Sequence, residues 1–116
     1  MSHTTTIELE VKSIPALKQA CLDLGYTFKE NSVGKLYDGT EVEGFVMQLP
    51  EFSYPVIAAK GALHFDTYKG QWGDEKYISK LKQRYAVNVQ KDQARQRGYR
   101  VREERLGDKV RLVLER

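Results

Sequence analysis

The segment from Glu75 to Arg97, EKYISKLKQRYAVNVQKDQARQR, constrains the fold more than any other. It holds neither Gly nor Pro, and Asp74 before it and Gly98 after it are a start and a stop signal for one long helix. At about 100° of rotation per residue, Tyr77, Ile78, Leu81, Tyr85 and Val89 share an apolar stripe. Lys76, Lys80, Arg84, Lys91 and Arg95 share a second, basic stripe. Such a helix is amphipathic in charge as well as in apolarity, so it needs an apolar layer on one side. Asn88 and Asp92 intrude near the apolar stripe at i,i+4 spacing and are expected to bond each other or a backbone group beneath the helix.

The rest of the chain supplies that layer. Gly and Pro recur in it at short intervals, and the intervening segments alternate as strands do. In Thr4 to Val11, Ile7, Leu9 and Val11 alternate with Glu8 and Glu10. Ser13 is a good N-cap and Pro15 suits a first helical turn. Leu17, Cys21 and Leu24 then mark one helix face, closed by Gly25. Tyr26 to Lys29 restarts as a strand. Asp38-Gly39 and Lys60-Gly61 are placed for tight hairpin turns in which both central residues take positive φ. Pro50 and Pro55 bracket a surface loop. After the long helix, Tyr99 and Val101 face Val110, Leu112 and Leu114 across a turn at Gly107-Asp108, pairing Val101 with Leu114. Glu103 and Arg105 break the apolar pattern of that face. The expected fold is α+β: a mostly antiparallel sheet with two helices packed on one face, in the order β-α-β, meander, α-β-β.

With 116 residues, 41% hydrophobic and 30% charged, the chain suits a single domain spanning 1–116 with a real core. It has no apolar run of membrane-spanning length, so no membrane partner is expected, and MSHTTTIELEVK does not read as a signal peptide. A lone Cys21 favours a reducing compartment such as the cytoplasm. Charge is segregated. Residues 1–75 carry six Lys against eleven Asp and Glu, a net of −5, whereas residues 76–116 carry thirteen Lys and Arg against five acids, a net of +8. The molecule is therefore dipolar, with one basic face suited to an acidic protein surface or a nucleic-acid backbone.

Candidate chemistry is sparse. Cys21 lies on an apolar helix face, as a small buried hydrophobe does, and no phosphate-cradling glycine loop or cofactor motif is present. His64 and Asp66 share a strand face and could converge with Glu8 and Glu10 on a metal if those strands were neighbours. Acids alternating with apolar residues are, however, the ordinary exposed side of a half-buried sheet. The basic helix 76–97 and the Arg-rich closing hairpin could follow a phosphate backbone, yet no aromatic residues interleave with the stripe to stack on bases. In the loop LPEFSYP, Phe52 and Tyr54 are candidate interface anchors on a stiffened turn. In HFDTYKGQWGDEKY, the glycines permit a sharp strand-to-helix corner. Trp72 is placed to cover the helix start, and Tyr68 and Trp72 are candidates for presentation to a partner.

The start MSH, the segments LKQACLDLGY and DTYKGQWGDEKYISKLKQRYAV, and the ending KVRLVLER together resemble a domain-of-unknown-function family. That family includes hypothetical open-reading-frame proteins of algal chloroplasts and cyanobacteria, with bacterial and phage relatives. The most specific parts are Gly70 to Asp74 and Gln83-Arg84-Tyr85-Ala86. Many relatives have Phe after MSH where this chain has Thr4. The resemblance implies a small soluble protein of plastid or bacterial type and no catalytic residues. The residues themselves point to a non-catalytic protein-interaction module without cofactor, whose meander edges are available for pairing across a two-fold axis. Nucleic-acid binding is the alternative, and a metal-dependent enzyme at His64 and Asp66 is third.

Overall fold

A computed structural model describes residues 4–7, 13–66, 73–107 and 109–116. The elements run β1 (Thr4–Ile7), α1 (Ile14–Leu24), β2 (Thr27–Lys35), β3 (Glu41–Gln48), β4 (Val56–Ala59), β5 (Ala62–Asp66), α2 (Glu75–Gln96), β6 (Arg100–Leu106) and β7 (Lys109–Glu115). The fold is α+β, and every strand pairing is antiparallel. One point differs from expectation. The closing hairpin does not join the main sheet: strands β1-β5-β4-β3-β2 form one sheet, and β6-β7 form a separate ribbon.

The local signals for the helices act as their chemistry requires. The Ser13 hydroxyl accepts from the Ala16 N–H at 3.2 Å and Pro15 fills an early position of α1. Gly25 ends that helix at φ 77°, a left-handed cap that costs a Cβ-bearing residue free energy. The Asp74 carboxylate accepts from the Lys76 N–H at 2.9 Å and starts α2. Two turns split the hairpin expectation. Lys60 and Gly61 both have positive φ, as a two-residue turn needs. Between β2 and β3 only Gly39 does, because the Asp38 carboxylate accepts from the Thr40 N–H at 2.9 Å and holds a longer loop. Val101 pairs with Leu114 as the alternation and the Gly107 turn demand.

The main core lies between the five-stranded sheet and the two helices. Leu17, Ala20 and Cys21 of α1 and Ile78, Leu81 and Tyr85 of α2 meet Phe45, Met47, Val56, Leu63 and Phe65 of the sheet. Burial pushes the Cys21 thiol up to about 12, which suits an inert core side chain. Asn88, the polar intruder on the long helix, is buried and donates to the Ala16 carbonyl of α1 at 3.3 Å. Its partner is thus a backbone group beneath the helix and, in addition, Asp23 at 3.4 Å, not Asp92.

The loop between β3 and β4 turns inward instead of projecting. Gln48 Nε2 donates to the carbonyls of Leu49 and Phe52, at 3.2 and 2.8 Å, and folds the loop over the start of α2. Phe52 is only 6% exposed and lies against Gly73. A Cβ on Gly73 would stand 2.7 Å from carbons of that ring. Because the ring is enclosed, Gly73→Ala should destabilise the protein by about 1–3 kcal/mol through overpacking. Chemical denaturation checks this, and an unchanged midpoint would contradict the packing.

Candidate functional site

The long helix is buried on two sides, not one. Besides the core stripe, Val87 and Ala94 are buried outside the main core cluster, on the side where the closing hairpin packs. That second side is the basic stripe itself. At about 100° per residue, Arg84, Val87, Lys91 and Ala94 fall together, roughly 120° round the helix from the core stripe. The hairpin presents to it the face carrying Val101, Glu103, Arg105, Val110, Leu112 and Leu114 by strand alternation. None of the described hairpin side chains is fully buried, so apolar contact alone holds this ribbon weakly.

Charge supplies the rest. Arg84 donates from both terminal nitrogens to the Glu103 carboxylate, at 3.0 and 2.5 Å, and from Nε to Asp23 of α1 at 2.9 Å. Lys91 Nζ lies 2.7 Å from the same Glu103 carboxylate. Gln19 and Asn88 donate to Asp23 at 2.9 and 3.4 Å. This network joins α1, α2 and β6. The Arg84 and Lys91 side chains are 13% and 19% exposed and that of Glu103 22%, so their pairs are less screened than surface pairs. Hydrogen bonding from Arg84 holds the Glu103 carboxyl down to about 2, with burial opposing and Lys91 adding to the effect. For Asp23, burial pushes the carboxyl up, but hydrogen bonds from Gln19, Arg84 and Asn88 prevail and hold it below the usual range.

The basic stripe is therefore not the free face its sequence describes. Arg84 and Lys91 are offset by two carboxylates, Asp23 of α1 and Glu103, the residue that broke the apolar pattern of β6. That break was the one sequence signal for the pairing. Arg95 is exposed and 3.7 Å from Asp92, one turn back on the same helix. Lys76 is exposed and 3.9 Å from its own cap residue Asp74.

Cations from two elements meet in a cleft of about 650 Å³ between the first half of α2 and the tip of the hairpin. Lys76 and Lys80 line it from the helix, Arg105 and Lys109 from the hairpin, and Leu24, Val87 and Val110 give it an apolar floor. Among the described residues no Asp or Glu lines it, and Arg84 enters at the edge already paired. Among the described residues, Lys80, Arg105 and Lys109 have no carboxylate within 4.0 Å. The Lys76 and Lys80 ammonium groups sit 5.1 and 5.8 Å from the Tyr77 ring centre, an attraction that steadies them without cancelling their charge. Arg105 and Lys109 were not among the helix candidates; only the topology brings the hairpin tip to the helix start.

The other candidates fare differently. Phe52 is a core residue and is corrected as an interface anchor. Tyr54 is half-buried and meets Tyr37 edge to face at 6.1 Å, so the two loop aromatics do not project together. Tyr68 and Trp72 lie outside the described residues, as do Glu8 and Glu10. His64 is half-buried on β5, opposite Thr6 of β1 and Ile57 of β4. The neighbouring strands that a metal site required are thus present, yet among the described residues no group of three or more His, Cys, Asp and Glu comes together. No described helix is long and apolar enough to cross a membrane. No family model matches the chain, and no curated protein or solved structure matches it either.

The network has a pH signature. The Glu103 carboxyl titrates at about 2 in the folded protein against an ordinary value of 4.5. Its depressed value contributes stability in full above the unfolded value, and that contribution is lost as pH falls from 4.5 towards about 2. Melting temperature should therefore fall across this window, and Glu103→Gln should fall less steeply while starting lower at neutral pH. Parallel slopes in thermal melts would separate Glu103 from the acid sensitivity.

Proposed function

We propose that this protein is a non-catalytic interaction module whose cleft between α2 and the closing hairpin takes an acidic segment of another protein. The observation that supports it is the lining of that cleft: a rim of Lys76, Lys80, Arg105 and Lys109, no acid among the described lining residues, and an apolar floor of Leu24, Val87 and Val110. A rim of one sign steers an oppositely charged partner and fixes its register, while burial on the floor contributes affinity. An acidic segment carrying one or two apolar side chains satisfies both features.

Nucleic-acid binding is the weaker reading for two reasons. Arg84 and Lys91, in the middle of the presumptive track, are already held by Glu103. Among the described residues no aromatic side chain lines the cleft to stack on a base. A metal-dependent activity at His64 and Asp66 gains no support, since no ligand cluster comes together among the described residues.

The test is binding of a labelled peptide rich in Glu and carrying Leu, followed by anisotropy. Reversing Lys80 and Lys109 together to Glu should weaken binding by about tenfold or more, roughly 1.4 kcal/mol. Added salt should weaken it as well. Both substitutions fall on exposed positions, so melting should change little. Binding that survives the double reversal, or that ignores salt, would remove the cleft from consideration. A native pull-down with the same pair of proteins then identifies the physiological partner as the one lost on reversal.

A further inference from the structure

We infer that Glu103 is a specificity-determining residue: it stands inside the basic stripe as an internal anion and keeps extended phosphate backbones off α2. This rests on the cleft reading above. Lys76, Lys80, Arg84, Lys91 and Arg95 span nineteen residue steps, about 28 Å of helix at 1.5 Å each. Unopposed, that length of aligned cations is an electrostatic track for a duplex.

Glu103 interrupts the track at its centre. Its two carboxylate oxygens take both terminal nitrogens of Arg84, and one of them also takes Lys91. Charge-assisted bonds of this kind are about twice as strong as neutral ones, so a phosphate must displace a well-matched rival to reach either cation. What stays open is the short cationic cleft at one end, closed in by Arg105 and Lys109 from the hairpin. A short acidic segment fits there, whereas a continuous backbone does not gain the central contacts. The residue that docks the hairpin thereby also selects the ligand, through repulsion and prior occupancy together.

Glu103→Gln keeps the size and the acceptor oxygen, so the hairpin can still dock, but it removes the charge. Lys91 then loses its opposing charge, and Arg84 keeps only that of Asp23 at its Nε. Each phosphate newly neutralised steepens the dependence of log K on log salt by about 0.9. The comparison protein is Glu115→Gln, which removes the same charge at an exposed position only 3.7 Å from Arg102. Against a random duplex of about 20 base pairs, Glu103→Gln should bind about tenfold tighter than Glu115→Gln at low salt, with a slope steeper by about one to two.

Glu103→Met, an apolar replacement on the face that carries Leu112, is measured in parallel in case the amide weakens docking. Equal affinities and slopes for the Glu115→Gln protein and both Glu103 variants would overturn the inference. A gain of duplex binding in either Glu103 variant alone supports it. The acidic-peptide titration separates the two readings. Wild-type protein that ignores the peptide, while Glu103→Gln gains the duplex, would sink the cleft assignment and leave the role of Glu103 standing.

Discussion

The carboxylate of Glu103 between Arg84 and Lys91 is the contact that orients the closing hairpin on α2. A two-stranded ribbon with half-buried apolar residues has little to hold it in place by itself. Here its inward face meets a helix side that carries both small apolar residues, Val87 and Ala94, and cations. Apolar contact supplies contact area, and the carboxylate supplies direction and register. Without that acid the ribbon would bring Arg105 up to Lys80 and Arg84 with only Asp23 to offset the repulsion. Asp23 extends the same logic to α1, so one guanidinium ties three elements together.

Neutralising the centre of a basic stripe has a consequence at its end. The charge that remains is concentrated where the hairpin tip overhangs the first turns of α2. There it borders apolar side chains from three elements, Leu24 of α1, Val87 of α2 and Val110 of β7. A cation rim over an apolar floor is chemically different from a charged helix in water, because the floor adds an entropic driving force that the rim then orients. The functional proposal follows from this combination and not from net charge.

Much of the architecture was legible along the chain. Ser13, Gly25, Asp74 and Gly98 mark helix ends because each supplies a hydrogen bond or a backbone conformation that few residues can supply. The register of β6 with β7 follows from alternation and turn length alone. The loop was misleading for an equally physical reason. Phe52 and Tyr54 between prolines look like a projecting pair, but Gln48 is what folds that loop over Gly73, and a side-chain amide seeking distant carbonyls leaves no periodic trace.

The sequence by itself determined the two helices, the antiparallel meander, the dipolar charge and the existence of a basic stripe on α2, because periodicity and capping are local properties. Which cations of that stripe stay available was decided only by tertiary structure. Charge neutralisation depends on which side chains approach within about 4 Å, and Glu103 lies 19 residues from Arg84 while Asp23 lies 61 residues from it. The same holds for the cleft. Arg105 and Lys109 become neighbours of Lys76 and Lys80 only when the hairpin folds back on the helix. One acidic residue that spoils a strand's pattern thus bears both on how the ribbon docks and on which charges of the stripe are paired.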